Sequence, residues 1–375
     1  MRTPHPTPTV LNPETPSTPE PPPRRPHVEE IQRALHDSTT LVDAWPDAEP
    51  FALTGWFERN GFAPAWAAVL VFFVAFLAFQ VVGGLGVAAG VGADMARGAE
   101  MPDLGNTAEL VAAYPRLILG GNAFGQALAF GLLAWGAARL STRRVRAFLR
   151  LRRPDGAALG LVTLGWIAVY PLVLWLGELN ARVPMPEWLQ GLDEMRGEML
   201  ESLLFSGDVS PVFLFVTIAL APALFEEILF RGYLLRQAER QFGSWTAIVA
   251  VGIAFGAYHL SAATLVPLSV LGVYLCFVVW ATGSLWSGVL VHLLNNGFAV
   301  AASAVAAATP GFDPDTVGEV GGPWYVAAAL AAAGALGTLA VCRMLLARRH
   351  AATGGRPDAA PTSPLPAVAS VAALS

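Results

Sequence analysis

The sequence predicts an all-α protein, a polytopic bundle of about eight transmembrane helices. Three observations carry that prediction. Of the 375 residues, 54% are hydrophobic and only 14% charged, whereas ordinary soluble domains hold about 25% charged residues. The mean hydropathy is +0.52. Apolar runs of the length that a bilayer requires, about 20 residues, recur along the chain and alternate with arginine-rich and acidic connections.

The elements follow in order. Residues 1–55 are rich in Pro, Thr and Glu, including PPPRRP at 21–26. Such a segment buries too little apolar area to offset its ordering entropy, so a disordered Pro-rich tail is expected. It has no compact apolar core followed by a small-residue cleavage site, so no secretory signal peptide is expected. Apolar runs are placed near 64–92, 114–139, 156–178, 211–235, 245–260, 264–284, 286–308 and 323–346. The fifth is short, and only SAAT at 261–264 separates it from the sixth. Residues 56–155 read as N-terminal spans, 156–310 as a core carrying the chemistry, 311–349 as a final span, and 350–375 as a second disordered tail.

Arginine placement orients the bundle. Seven arginines fall within 139–153, Arg231, Arg236 and Arg240 close the fourth span, and Arg343, Arg348, Arg349 and Arg356 follow the eighth. The connections at 93–113, 179–210 and 309–322 are mostly acidic. Eight alternating spans put every arginine-rich end on one side, so a multi-pass protein of the cytoplasmic membrane with both termini in the cytoplasm is expected. All 23 basic residues are arginine, which reads as a coding bias. The net charge of −5 gives no reason to expect nucleic acid as a partner. Cys276 and Cys342 lie in apolar runs without metal or redox spacing and read as small buried residues.

Within these greasy segments lies FEEILFRGYLL at 225–235. An ionisable side chain at the bilayer centre costs about 2.5–3.5 kcal/mol, so it is kept where it has a partner or a task. Glu227 and Arg231 are four residues apart, on one helical face, with the acid N-terminal to the base. Glu226 is rotated by about 100° and cannot use the same partner equally well. The plain alternative is a salt bridge beside a glutamate that reaches the membrane boundary. The sharper reading leaves Glu226 as a free base in a polar cavity, opened by a bend at Pro222.

In the fifth run, FGAYH places His259 four residues after Phe255; in the seventh, HLLNN places His292 and Asn296 four apart. Each histidine alone could be a hydrogen-bonded packing residue. Confined together to late spans, they suggest one site. A carboxylate beside an imidazole can take a proton from water and return it to a leaving amine. A histidine and an asparagine amide on one face can donate to an oxyanion. There is no HExxH zinc motif; a Glu/His/His set could still bind a metal, and Zn(II) on Glu226, His259 and His292 stays open.

These motifs resemble those of the CPBP family, the CAAX prenyl endopeptidase and bacteriocin-processing proteins, also called Abi. FEEILFR is similar to its EExxxR motif, FGAYH to FxxxH and HLLNN to HxxxN, in the family's order, over about residues 160–305. The resemblance implies an intramembrane endopeptidase in which Glu226, helped by His259, activates water while His292 and Asn296 bind the oxyanion. Glu227 and Arg231 would be structural, with Phe255 supporting. Both metal-dependent and glutamate-dependent mechanisms are ascribed to the family. The latter, requiring no cofactor, is preferred here. The implied substrate is a membrane-associated peptide or protein, prenylated or not, in a cavity expected to open at the arginine-rich end. The competing readings are a non-catalytic membrane immunity or scaffold protein of the same fold and a proton-coupled transporter; the latter is weakened by the lack of internal repeats.

Overall fold

The computed structural model describes residues 40–41, 45, 51–100, 107–205, 209–309 and 323–355. Its longer helices are α1 (Pro64–Ala96), α2 (Pro115–Ser141), α3 (Gly156–Ala181), α4 (Glu187–Phe205), α5 (Pro211–Phe242), α6 (Ser244–Tyr258), α7 (Leu265–Thr282), α8 (Leu285–Ala307) and α9 (Trp324–Thr353). All but α4 and α6 are long and apolar enough to cross a membrane. The 15-residue α6 is about 22 Å long at 1.5 Å per residue, which is shorter than a hydrocarbon core of about 30 Å. Each of the eight expected spans therefore finds an apolar helix, and the fifth is the short one.

Local chemistry sets the helix ends. α1, α2 and α5 begin on proline, whose missing N–H costs nothing in the first turn. The Ser210 hydroxyl accepts from Phe213 N at 3.3 Å, and Asp155 caps α3 by accepting from Ala158 N at 2.8 Å. That amide, followed by the Arg348 guanidinium, holds the Asp155 carboxyl below its ordinary value against the opposing effect of partial burial. α7 and α9 stop at Gly283 and Gly354 with φ of 63° and 61°, the left-handed conformation that glycine adopts without strain.

Two differences from the sequence reading stand out. The acidic connection at 179–210 contains α4, which is too charged to be read as a span but rich in good helix formers. The expected tail at 1–55 is ordered where it is described. Thr40–Leu41 pairs antiparallel with Phe51–Ala52, Phe51 and Leu53 are buried, and Gly55 N donates to Ser141 O at 2.9 Å. Trp45 lies under the Arg152 guanidinium at 4.5 Å. Averaged composition concealed these few apolar anchors. The remainder of that tail, and residues 310–322 and 356–375, lie outside the described residues.

α5 sits at the centre. Between Glu226 and Arg240 nearly every side chain is buried, enclosed by α1, α2, α6, α7 and α8. α3 pairs with α9 on one flank and α1 with α2 on the other. Trp66, Phe73, Leu77 and Leu85 of α1 face outward, as they should in a chain whose solvent is lipid. The arginine-rich ends meet in one layer, where Arg150 donates to Glu239 at 2.8 Å, Arg240 to Glu58 at 2.9 Å and Arg349 to Trp280 O at 2.8 Å.

α6 and α7 pack closely, with Gly252 and Gly256 of α6 facing Ser269, Gly272 and Val273 of α7. Small residues allow this approach in membranes, where packing rather than a hydrophobic drive holds helices together. A Cβ at Gly252 would stand 2.5 Å from Val273 N. Gly252→Ala should therefore destabilise the fold by about 1–3 kcal/mol in detergent unfolding. Gly84→Ala, with nothing within 4 Å of the added carbon, should be neutral or slightly stabilising.

Candidate active site

Glu226, Glu227, Arg231, His259 and His292 gather where α5, α6 and α8 meet. α5 is irregular there, with π-helical turns at Phe215–Leu220 and Ile228–Leu234 on either side of the short α-helical piece Ala221–Glu227. Such turns break the helical ladder and re-aim side chains. Pro222 has no N–H to give Ile218 O, four residues earlier. Asn296 of α8 supplies the replacement, its Nδ2 donating to Ile218 O at 3.1 Å.

Glu227 is wholly buried and bound twice through one oxygen. Its Oε1 accepts from an Arg231 terminal nitrogen at 2.7 Å and from His292 Nδ1 at 2.9 Å. Arg231 also donates to Gly272 O at 3.3 Å, and its guanidinium lies 4.2 Å above the Phe255 ring. Gly288 makes room for the carboxylate: a Cβ there would stand 2.6 Å from Glu227 Oε2. Taking two charges out of water is costly, and these contacts are what compensate it.

Glu226, one residue back, points elsewhere. Its side chain is buried, yet Oε2 makes no hydrogen bond, and His292 Nε2 lies 4.0 Å from it. It lines a cavity of about 210 Å³ together with Tyr258 and His259. His259 Nδ1 lies 2.8 Å from Phe255 O. A carbonyl only accepts, so Nδ1 carries the hydrogen and Nε2 keeps its lone pair. The same reasoning puts the hydrogen of neutral His292 on Nδ1, toward the Glu227 carboxylate. The Phe255 ring stands nearly perpendicular to both imidazoles, with centroids 5.0 Å from His259 and 5.7 Å from His292. His259 closes α6, and the next residue, Leu260, has φ of 49°, a strained value for a branched side chain.

Every residue singled out in the sequence thus lies in or beside one cluster. Glu226 and His259 face the cavity, His292 approaches Glu226 from α8, Glu227, Arg231 and Phe255 brace them, and Asn296 ties α8 to α5. Among the described residues, no three His, Cys, Asp or Glu side chains are gathered to hold a metal ion.

The cavity does not open where the sequence suggested. Phe230, Arg231 and Phe255 are buried and do not line it. Its exposed lining residues are Gln80, Asn122 and Leu260, with Arg196 of α4 half-buried beside them. Arg196 donates to His259 O, and Asp193 accepts from Ala263 N at 2.9 Å, which pins α4 beside the mouth. Gln80, Asn122, Gln126 and Arg196 were missed in the sequence. The signal was an amide inside an apolar run, as in FLAFQVV and GGNAFGQ, where weighing only the charged groups and histidines passes over it.

These features define a polytopic membrane protein with a polar, carboxylate-bearing cavity enclosed by its helices. Residues 208–298 match the family Type II CAAX prenyl endopeptidase Rce1-like. This stretch contains all seven residues read from the three motifs. Neither the curated proteins nor the solved structures yield a match.

Two stability measurements check the bracing. Arg231→Met leaves Glu227 charged and half-paired in the interior and should lower stability by about 3–5 kcal/mol, read as a fall in the detergent unfolding midpoint. Asn296→Ala strands the Ile218 carbonyl and should cost about 1–3 kcal/mol in the same measurement; an unchanged midpoint would show that Ile218 O does not need it.

Proposed function

We propose that this protein is an intramembrane endopeptidase that cuts a peptide bond of a membrane-associated peptide or protein, using water activated by Glu226. One observation carries the reading. Of two adjacent buried glutamates, Glu227 is held through Oε1 by Arg231 and His292, while Glu226 alone lines the cavity shared with His259; each keeps an unbonded Oε2, but only that of Glu226 belongs to a residue of the cavity. A carboxylate is kept away from lipid and left without a partner at a cost, and the cavity is where that cost is useful.

Glu226 takes a proton from water as its oxygen attacks the scissile carbonyl carbon. The carbonyl π-electrons move to oxygen, giving a tetrahedral oxyanion. His292, its Nδ1–H on Glu227, presents Nε2–H to that oxygen when the ring carries a second proton, and Asn296 offers its second amide hydrogen. The Arg231–Glu227 pair fixes the ring in one orientation, as a carboxylate does behind a catalytic histidine. His259 Nε2 holds the attacking water from the other side. When the C–N bond breaks, the Glu226 carboxyl returns its proton to the leaving amine, and the products are a carboxylate and an amine. No step is routed through a metal, so activity should survive chelation.

The protein is placed in the cytoplasmic membrane with its arginine-rich layer in the cytoplasm and both termini on that side. The support is the gathering of Arg150, Arg152, Arg240 and Arg349 at one end. The cavity mouth then lies toward the opposite side, and substrate enters from within the bilayer or from beyond it.

The test compares membrane-proteome cleavage sites in cells with the wild-type gene, with no gene, and with Glu226→Gln or His259→Ala copies. Glu226→Gln, nearly isosteric, should fold as wild type and lose about 10²–10⁴-fold of the cleavage rate. His259→Ala should also lose most of it. Wild-type cleavage by Glu226→Gln protein would reject the mechanism.

A further inference from the structure

The cavity beside Glu226 has a polar side that the cleavage steps leave unused. Its lining contains Gln80 of α1 and Asn122 and Gln126 of α2. Gln80 and Asn122 are exposed, whereas Gln126 is only 4% exposed, as Glu226 is. Three side-chain amides therefore lead from the mouth to the level of the buried carboxylate. Gln126 Nε2 donates to Asn122 Oδ1 at 3.3 Å, but Gln126 Oε1 is buried without a hydrogen-bond partner. A buried acceptor left unpaired is costly, so a group that arrives with a ligand has a gain to make there.

The backbone holds these amides together. A Cβ at Gly125 would stand 3.4 Å from Phe79 O, and one at Gly121 3.6 Å from Gly83 O, so α1 and α2 nearly touch beside Gln80 and Gln126. α2 turns π-helical immediately after Gln126, over Ala127–Leu132, a distortion frequent at functional sites. Asn122 and Gln126 are four residues apart and share a face, with a rise between them of about 6 Å. An extended chain presents the peptide groups of alternate residues along one edge, about 6.6–6.8 Å apart. The two spacings are close enough for successive amides to meet successive peptide groups.

A segment that is helical in the bilayer must unwind before its scissile carbonyl can be reached. In lipid each backbone N–H and C=O freed in this way needs a new partner. A side-chain amide carries both a donor and an acceptor, as a peptide group does. We propose that Gln80, Asn122 and Gln126 form the binding subsite for the substrate main chain, which they hold extended between the mouth and Glu226. Gln126 Oε1 accepts from a substrate N–H, and the amide nitrogens of Asn122 and Gln80 donate to substrate carbonyls. The subsite rests on the endopeptidase reading, and it selects an unwound segment rather than particular side chains.

The test uses purified full-length protein and a fluorogenic peptide spanning a cleavage site that the membrane proteome shows only when Glu226 is intact. Copies of the peptide carry one backbone ester each, at successive positions on both sides of the scissile bond. An ester has no N–H and is a weaker acceptor than an amide. Wild type should lose about 3–10-fold in kcat/KM on at least one ester copy. Q126L should raise KM for the all-amide peptide about 3–10-fold with kcat near wild type, and should lose nothing further on that ester. Damage to the fold alone would leave the ester loss in place. If Q126L does not fold, Q80L and N122L, at the exposed mouth, take the same two measurements. Wild-type KM in the variants, no ester loss in wild type, or an equal ester loss in wild type and variants overturns the subsite, while cleavage that still needs Glu226 leaves the endopeptidase reading standing. The absence of any Glu226-dependent cleavage site rejects both.

Discussion

The Glu227 carboxylate is the tie on which the site depends. It accepts from Arg231 on its own helix and from His292 on α8, so it joins two helices that lipid alone would not hold together. In a medium without water, an unpaired charge here would be untenable, and Arg231 removes that difficulty within one helical turn. What remains is a histidine fixed in one orientation and a neighbouring glutamate released from any structural duty.

The helical irregularities serve the same end. A regular helix through Pro222 would leave Ile218 O without a donor. The π-helical turns on either side of Ala221–Glu227, and Asn296 reaching across from α8, accommodate the break. At α6 the glycine-lined approach to α7 brings Phe255 and His259 close to α5. Phe255 then fills the space between two imidazoles and a guanidinium with an aromatic edge and face. Rigid packing and irregular backbone are therefore complementary: the first fixes the histidines, the second frees Glu226.

Much of this was legible in the sequence, for reasons particular to membranes. Lipid makes each buried charge expensive, so the rarity of Glu226, Glu227, Arg231, His259 and His292 within apolar runs was itself informative. Helical spacing paired Glu227 with Arg231 and Phe255 with His259, as the contacts show. Three things were not legible. The link between Glu227 and His292 spans two helices, and no spacing rule crosses that gap. The direction of the cavity depends on which lining residues, Gln80, Asn122 and Leu260, are left exposed. The amides of Gln80, Asn122 and Gln126 are uncharged and looked like ordinary interruptions in α1 and α2. The anchoring of Trp45, Phe51 and Leu53 was hidden by the Pro-rich composition around them.

The division of labour between adjacent glutamates can be read on the unmutated protein. Treatment with a water-soluble carbodiimide and an amine, followed by peptide mass spectrometry, reports which buried carboxyl group meets solvent. If Glu227 is the shared anchor and Glu226 faces the cavity, the amide adduct forms on Glu226 while Glu227 stays unmodified. Modification of Glu227 at a rate equal to that of Glu226, or faster, would contradict it.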